Sequence, residues 1–187
     1  MMTPDAARPG EGLGFRLWQL TPERAGEWRA IRLEALRTAP QAFGSGIDEW
    51  EHRPLEDFAG RLAGCEMWAA GPAPGSAQAV ASWEWGISPA EPDLGWVMSV
   101  YVRPEARGQG LSDAIFSRLA ERAAAAGMTR MGLHVGRANT AAQALYRRAG
   151  FIETGGPPML NERGNWEIEM RRMLRPALRH RLRALYA

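Results

Sequence analysis

The stretch RPEARGQGLS (residues 103–112) follows directly on WVMSVYV (96–102), an apolar run with the composition of a buried strand, and precedes an amphipathic helix. A plain turn needs one glycine. Two glycines beside an arginine describe a backbone opened up to hold an anion, and three phosphate-binding arrangements compete for residues 107–112. A P-loop fails, because it needs a lysine on the phosphates and the chain has none. The dinucleotide fingerprint G-x-G-x-x-G fits only at Gly108 and Gly110. Ala114 lies one place past the third glycine, and no acidic residue stands at the distance needed to hold a ribose. The third arrangement is a pyrophosphate cradle at a helix N-terminus. There the N–H groups of Gly108, Gln109, Gly110, Leu111 and Ser112 lack intrahelical partners, the helix dipole favours an anion, and Arg107 adds a fixed charge. Glycines let the backbone approach the ligand with no Cβ in the way. Asp113 suits the dipole but would repel a phosphate, so its side chain is expected to point away. A purely structural strand-to-helix turn is the plainer alternative.

The rest of the chain narrows the class. Its 187 residues, 45% hydrophobic and 24% charged, describe one soluble globular domain able to bury a core. No apolar run approaches the roughly 18 residues of a membrane span, and the start, MMTPDAARPGEGLG, has neither the basic segment nor the apolar stretch of a signal peptide. A single cysteine, Cys65, excludes an internal disulfide and suits a reducing cytoplasm. All 23 basic residues are arginine, which excludes a Schiff-base pyridoxal-phosphate enzyme along with Walker-type nucleotidases. A net charge of +2 argues against nucleic acid or a membrane surface as a partner.

Along the chain, residues 1–14 read as a Pro- and Gly-rich lead-in, 15–174 as the folded domain, and 175–187 as a basic tail. FRLWQL (15–20) alternates as a strand does. Thr21 is expected to cap a helix with Pro22 at its first position, carrying a stripe of Trp28, Ile31, Leu33 and Leu36 and stopping at Pro40. A second helix is expected within 48–62. EMWAAG and AQAVASWEWGI read as antiparallel strands about a GPAPGS turn, and LGWVMSVYV (94–102) as a fourth strand. Leu111, Ile115, Leu119 and Ala123 recur every four residues up to Gly127. TRMGLHV (129–135), a short helix over 140–150, then FIETG and NWEIEMRRML complete the order. Strands and helices mix without strict alternation, which predicts a mainly antiparallel α/β sheet of the α+β type. In the tail, the helical spacing of Leu178, Leu182 and Leu185 is consistent with docking on a second copy as a homodimer.

The segments VYVRPEARGQGLSDAIFSRLAERAAAAG and LHVGRANTAAQALYRRAGF together resemble the core of the GCN5-related N-acetyltransferases, and RLEALRTAPQAFGS resembles their first helix and loop. Arg107 and Gly110 match the family's loop pattern, whereas Ser112 departs from its last small position. The resemblance implies a sheet of about seven strands with flanking helices, splayed between strands four and five, with acetyl-CoA in the cleft and no metal. It implies a bulge in strand four that frees backbone groups of Val100, Tyr101 and Val102 for the pantetheine arm. Asn139 and Tyr146 match the pair that follows strand five. They lie two helical turns apart on one face, Asn139 to hold the pantetheine amide and Tyr146 to protonate the leaving thiolate. The plainer alternatives are a helix N-cap for Asn139 and a core aromatic with a satisfied hydroxyl for Tyr146.

Two residues compete to take the proton of the attacking ammonium. His134 stands where relatives that acetylate ribosomal proteins carry a glutamate, and Glu84 faces away from Trp83 and Trp85 on its strand. Cys65 as an acetyl carrier lacks an indicated partner histidine. His52, His134 and His180 are too scattered for a metal site. Trp50, Trp83, Trp85 and Trp96 are candidates for an acceptor pocket or for the core. The expected activity is acetyl-CoA-dependent acetylation of a small-molecule primary amine, a metabolite or an amine-containing antibiotic. Acetylation of a protein N-terminus or lysine is the alternative, and a non-catalytic acyl-CoA sensor the third.

Overall fold

The computed structural model describes residues 14–175, so the lead-in before Gly14 and the tail leucines lie outside the described residues. Eight strands form one mixed sheet in the order β1-β2-β3-β4-β5-β8-β6, with β7 also paired to β8. They are β1 (Arg16–Leu20), β2 (Glu66–Gly71), β3 (Ala79–Glu84), β4 (Leu94–Val102), β5 (Arg130–Gly136), β6 (Ile152–Glu153), β7 (Met159–Leu160) and β8 (Trp166–Met173). Every pairing is antiparallel except β4 with β5. The eighth strand beyond the expected seven is β7, a two-residue pairing too short to leave a periodic signal. Among the described residues, no helix is long and apolar enough to cross a membrane.

Helices cover both faces. On one side α4 (Leu111–Ala125) lays Leu111, Ile115, Leu119 and Ala123 against Ala81, Trp83, Met131 and Leu133. On the other, α1 (Ala25–Thr38) and α3 (Leu55–Ala63) pack Trp28, Ile31, Leu36 and Phe58 against Leu20, Met67, Val80 and Tyr101. The short α2 (Ile47–Trp50) and α5 (Thr140–Arg148) complete the set. Three expectations shift locally. Thr21 makes no side-chain cap, and Pro22 opens a 3-10 turn (Pro22–Arg24), so α1 starts only at Ala25. The helix expected within 48–62 is α3, which starts after Pro54, and the short α2 before it is separate, since proline cannot continue a helix. The buried stripe of α1 includes Arg32 in place of Leu33, which is only half buried.

The wedge that makes room for a ligand lies between β4 and β5. They pair only over Leu94–Arg130, Gly95–Met131 and Trp96–Gly132, and then part. The paired end is pinned: the N–H groups of Thr129 and Arg130 donate to the Asp93 carbonyl, and the Arg130 guanidinium binds the Asp93 carboxylate. Gly132 lets the strands come close, because a Cβ there would stand 3.2 Å from the Trp96 ring. Past the fork, β4 carries an extra residue. Val80 opposes Tyr101 while Ser82 opposes Met98, which leaves Ser99 and Val100 facing Ala81 alone. Ser99 takes φ 56°, the conformation that lets a bulge form. The bulge thus begins one residue before the 100–102 expected from the sequence.

A β-branched side chain is strained at that φ, whereas glycine is not. Ser99→Val should therefore lower unfolding free energy by about 1–3 kcal/mol in urea titrations, and Ser99→Gly should not. Equal midpoints for Ser99→Val and the parent would remove the bulge from this account.

Candidate active site

Where β4 and β5 part, a cavity of about 470 Å³ opens, lined by Val100, Tyr101, Val102, Arg107, Gly108, Gly110, Leu111, Ser112, His134, Asn139 and Tyr146. The wedge, the glycine loop and α5 thus meet in one space. Of the residues singled out by sequence, Gln109 and Glu84 do not line it.

Gly108 and Gly110 hold φ of 77° and 81°, and a Cβ on either would meet nothing within 4 Å. The loop therefore presents bare backbone toward open space at the start of α4. Among the described residues, the N–H groups of Gly108, Gln109 and Gly110 make no hydrogen bond within the chain. Those of the first helical turn lack partners by geometry. Arg107 is exposed and donates from Nε to the Val102 carbonyl at 3.3 Å, which ties the loop to the end of β4. Gln109 turns back to the Glu105 carbonyl at 3.0 Å, so only its backbone serves the loop. These donors fit the diphosphate of acetyl-CoA, a dianion needing several N–H groups and close backbone approach.

On α5, Asn139 accepts the Ala142 N–H at 3.1 Å through its side-chain oxygen, the N-cap role weighed from sequence. That engages one lone pair of the oxygen, and the side-chain amide N–H donors are left for a ligand. Tyr146 is buried, edge-on to Phe116 and Phe151. Its phenolic oxygen makes no hydrogen bond to any described residue, unlike a core tyrosine with a satisfied hydroxyl. Burial, with the Glu167 carboxylate behind it, pushes the phenol well above its ordinary pKa. Tyr146 thus keeps its proton throughout the neutral and mildly alkaline range.

His134 lies exposed on the α1 and α3 side of β5, its ring stacked on Trp96 at 4.7 Å. The buried Trp96 Nε1 beside it has no partner. Glu84 shares that face and is held by Arg61 of α3 in an ion pair. Cys65 is buried, and burial raises its thiol to about 11, which leaves too little thiolate for an acetyl carrier. The four tryptophans do not form a pocket. Trp83 is core, Trp85 is solvent-exposed, Trp50 packs on Phe58, and only Trp96 comes near the cavity, through His134.

Sequence reasoning missed Thr38, Phe43 and Arg148, all of which line the cavity. Thr38 and Phe43 flank the end of α1, where Pro40 announces a turn but not its direction. Arg148 lies two positions past Tyr146 on α5 and adds a second cation to the wall.

A sequence profile described as "Acetyltransferase (GNAT) family" matches residues 40–151, and the chain belongs to that family. Two curated relatives, the L-methionine sulfoximine/L-methionine sulfone acetyltransferases of Pseudomonas paraeruginosa and Pseudomonas aeruginosa, are 39% identical over 69 residues. That match spans 36% of this chain and 40% of each relative. Among solved structures, a phosphinothricin acetyltransferase from Sinorhizobium meliloti in complex with AcCoA is similar at TM-score 0.71 and 22% identity, covering 88% of this chain and 94% of that one. A ribosomal-protein-alanine N-acetyltransferase from Brucella melitensis is similar at TM-score 0.70 and 20% identity, covering 85% and 99%. At these identities the likeness is one of fold.

Gly110→Val places a branched side chain at φ 81° and fills the space above the loop. Its acetyl-CoA affinity by calorimetry should fall at least about tenfold, with the milder loss in Arg107→Ala, where the backbone donors remain. Unchanged affinity in a folded Gly110→Val protein would refute the cradle.

Proposed function

We propose that the chain is an acetyl-CoA-dependent N-acetyltransferase whose acceptor is the primary amine of a small molecule. One observation carries the reading: unpaired loop N–H groups, an unpartnered Tyr146 hydroxyl and an unpaired strand edge face a single cavity. The family supports the reaction class, and the small amino-acid acceptors named for the Pseudomonas relatives support the acceptor class.

Bound acetyl-CoA supplies an activated thioester. The loop of 107–112 anchors its diphosphate, and the free edge of β4 at Val100–Val102 offers hydrogen bonds to the extended pantetheine. A β4 N–H directed at the thioester carbonyl would stabilise the oxyanion that forms there. The amine enters from the face of α1 and α3 and attacks directly, so positioning supplies much of the rate. His134, exposed at the cavity wall, takes the proton of the incoming ammonium, directly or through water. Tyr146 donates its phenolic proton to the departing thiolate sulfur and regains one from solvent. Its raised pKa makes it a hydrogen-bond donor that does not ionise as pH climbs, so no alkaline loss of rate below about pH 10 should trace to it.

Release of free thiol with a panel of small amines, a peptide N-terminus and a lysine peptide tests the reading. Turnover of small amines is expected; turnover confined to peptides, or none at all, would overturn it. Tyr146→Phe should lower kcat by about 100-fold or more with acetyl-CoA affinity nearly unchanged. Parent-like turnover would remove the role. His134→Gln should flatten the acidic limb of the pH–rate profile, and Glu84→Gln should leave that limb in place because Arg61 already occupies Glu84. The reverse outcome would move the base to Glu84.

A further inference from the structure

Arg32 is a buried charge without an ion pair among the described residues. Its side chain leaves α1 on the face that carries Trp28 and Leu36, and the residue is only 7% exposed. Its guanidinium carbon lies 5.7 Å from the Trp28 ring, 5.0 Å from Phe43 and 5.2 Å from Trp50. Its hydrogen bond goes to the Ser45 hydroxyl at 2.6 Å, and its Nε has no partner. Among the described residues it makes no ion pair. The carboxylates nearby are engaged elsewhere: Glu84 binds Arg61, and Glu49 accepts the Gly46 N–H at 2.6 Å. Burial first, and then the charge of Arg61, bring Arg32 down to about 10, while Glu49 opposes the shift only partly.

Burying an unpaired guanidinium costs several kcal/mol, and three aromatic faces return only part of that. A hydrophobic residue of similar size would be the cheaper filling. The cost makes sense if an anion completes the pair. Phe43 separates the two spaces, lining the cavity while it contacts Arg32. It lies between the turn at Pro40–Ala42 and Gly44. Along α1, Arg32 is about 9 Å from Thr38, which also lines the cavity. The Arg32 guanidinium stands at the Phe43 end of that interval, 5.0 Å from the ring, so a carboxylate admitted past Phe43 meets it.

We propose that Arg32 receives the anionic oxygens of the acceptor, so that the enzyme selects amines carrying a carboxylate, of the α-amino acid class. The proposal rests on the small-amine reading above, and the experiment separates the two. Each of several α-amino acids is assayed beside the amine left by its decarboxylation, leucine beside isoamylamine for example. The parent should favour the acid by about 100-fold in kcat/KM, the worth of a buried charged hydrogen bond. Arg32→Met should bring that ratio within about tenfold, chiefly through KM, while Arg32→Lys keeps part of it. Arg32→Met should also fold with a melting temperature no lower than the parent, because it removes an unpaired buried charge. An unchanged ratio in Arg32→Met, or a parent preference for the decarboxylated amine, would overturn the proposal and leave the small-amine reading standing. If no small amine is turned over, that reading falls, and quenching of tryptophan fluorescence by N-acetylleucine against N-isoamylacetamide still decides the role of Arg32. Saturable binding of the acid alone, lost in Arg32→Met, supports it; equal responses, or none, overturn it.

Discussion

The parting of β4 and β5 after Trp96 and Gly132 is the constraint on which the rest of the molecule depends. A sheet gains from continuing its ladder, and here it stops after three residue pairs. Both ends of the wedge hold it open. At the closed end the Asp93 carbonyl and carboxylate bind Thr129 and Arg130, and Arg130 holds that carboxylate's pKa down to about 2. Past the fork, Ser99 turns the extra residue of the bulge, and the Trp96 and His134 rings stack on the face of α1 and α3. Backbone groups that an ordinary sheet would consume are left for a ligand, and buried backbone groups must find partners.

The two faces of the sheet then divide the labour. The α4 side carries a continuous apolar core and, at the N-terminus of that helix, the glycine loop. The α1 and α3 side carries the polar and charged groups: Glu84 with Arg61, Arg32, His134, and the Tyr101 hydroxyl bound to Thr38 and Glu34. In the proposed reading, the cofactor is anchored from the α4 side and the acceptor approaches from the side of α1 and α3.

Much of this was legible in the sequence because the decisive signals are local. The glycine loop, the four-residue repeat of α4 and the span of β4 are each written within a dozen residues, and all three stand where their patterns put them. What stayed unread depends on partners that come from far along the chain. Strand alternation gave the correct face for Glu84 but could not reveal Arg61, 23 residues earlier. The tryptophans were ambiguous because an indole in a core and one in a pocket have the same pattern. Arg32 was visible in principle, four residues from both Trp28 and Leu36 on the buried face of α1. A stripe sought only among apolar residues passed over it.

Backbone amide chemical shifts recorded while acetyl-CoA is titrated into the protein test the central claim most directly. Contiguous perturbation of residues 99–102 on β4, 108–112 in the loop and 139–146 on α5 is predicted, with the outer strands β1 and β6 unmoved. Perturbations centred elsewhere, or a loop that responds while residues 99–102 do not, would contradict a cofactor lying in the wedge.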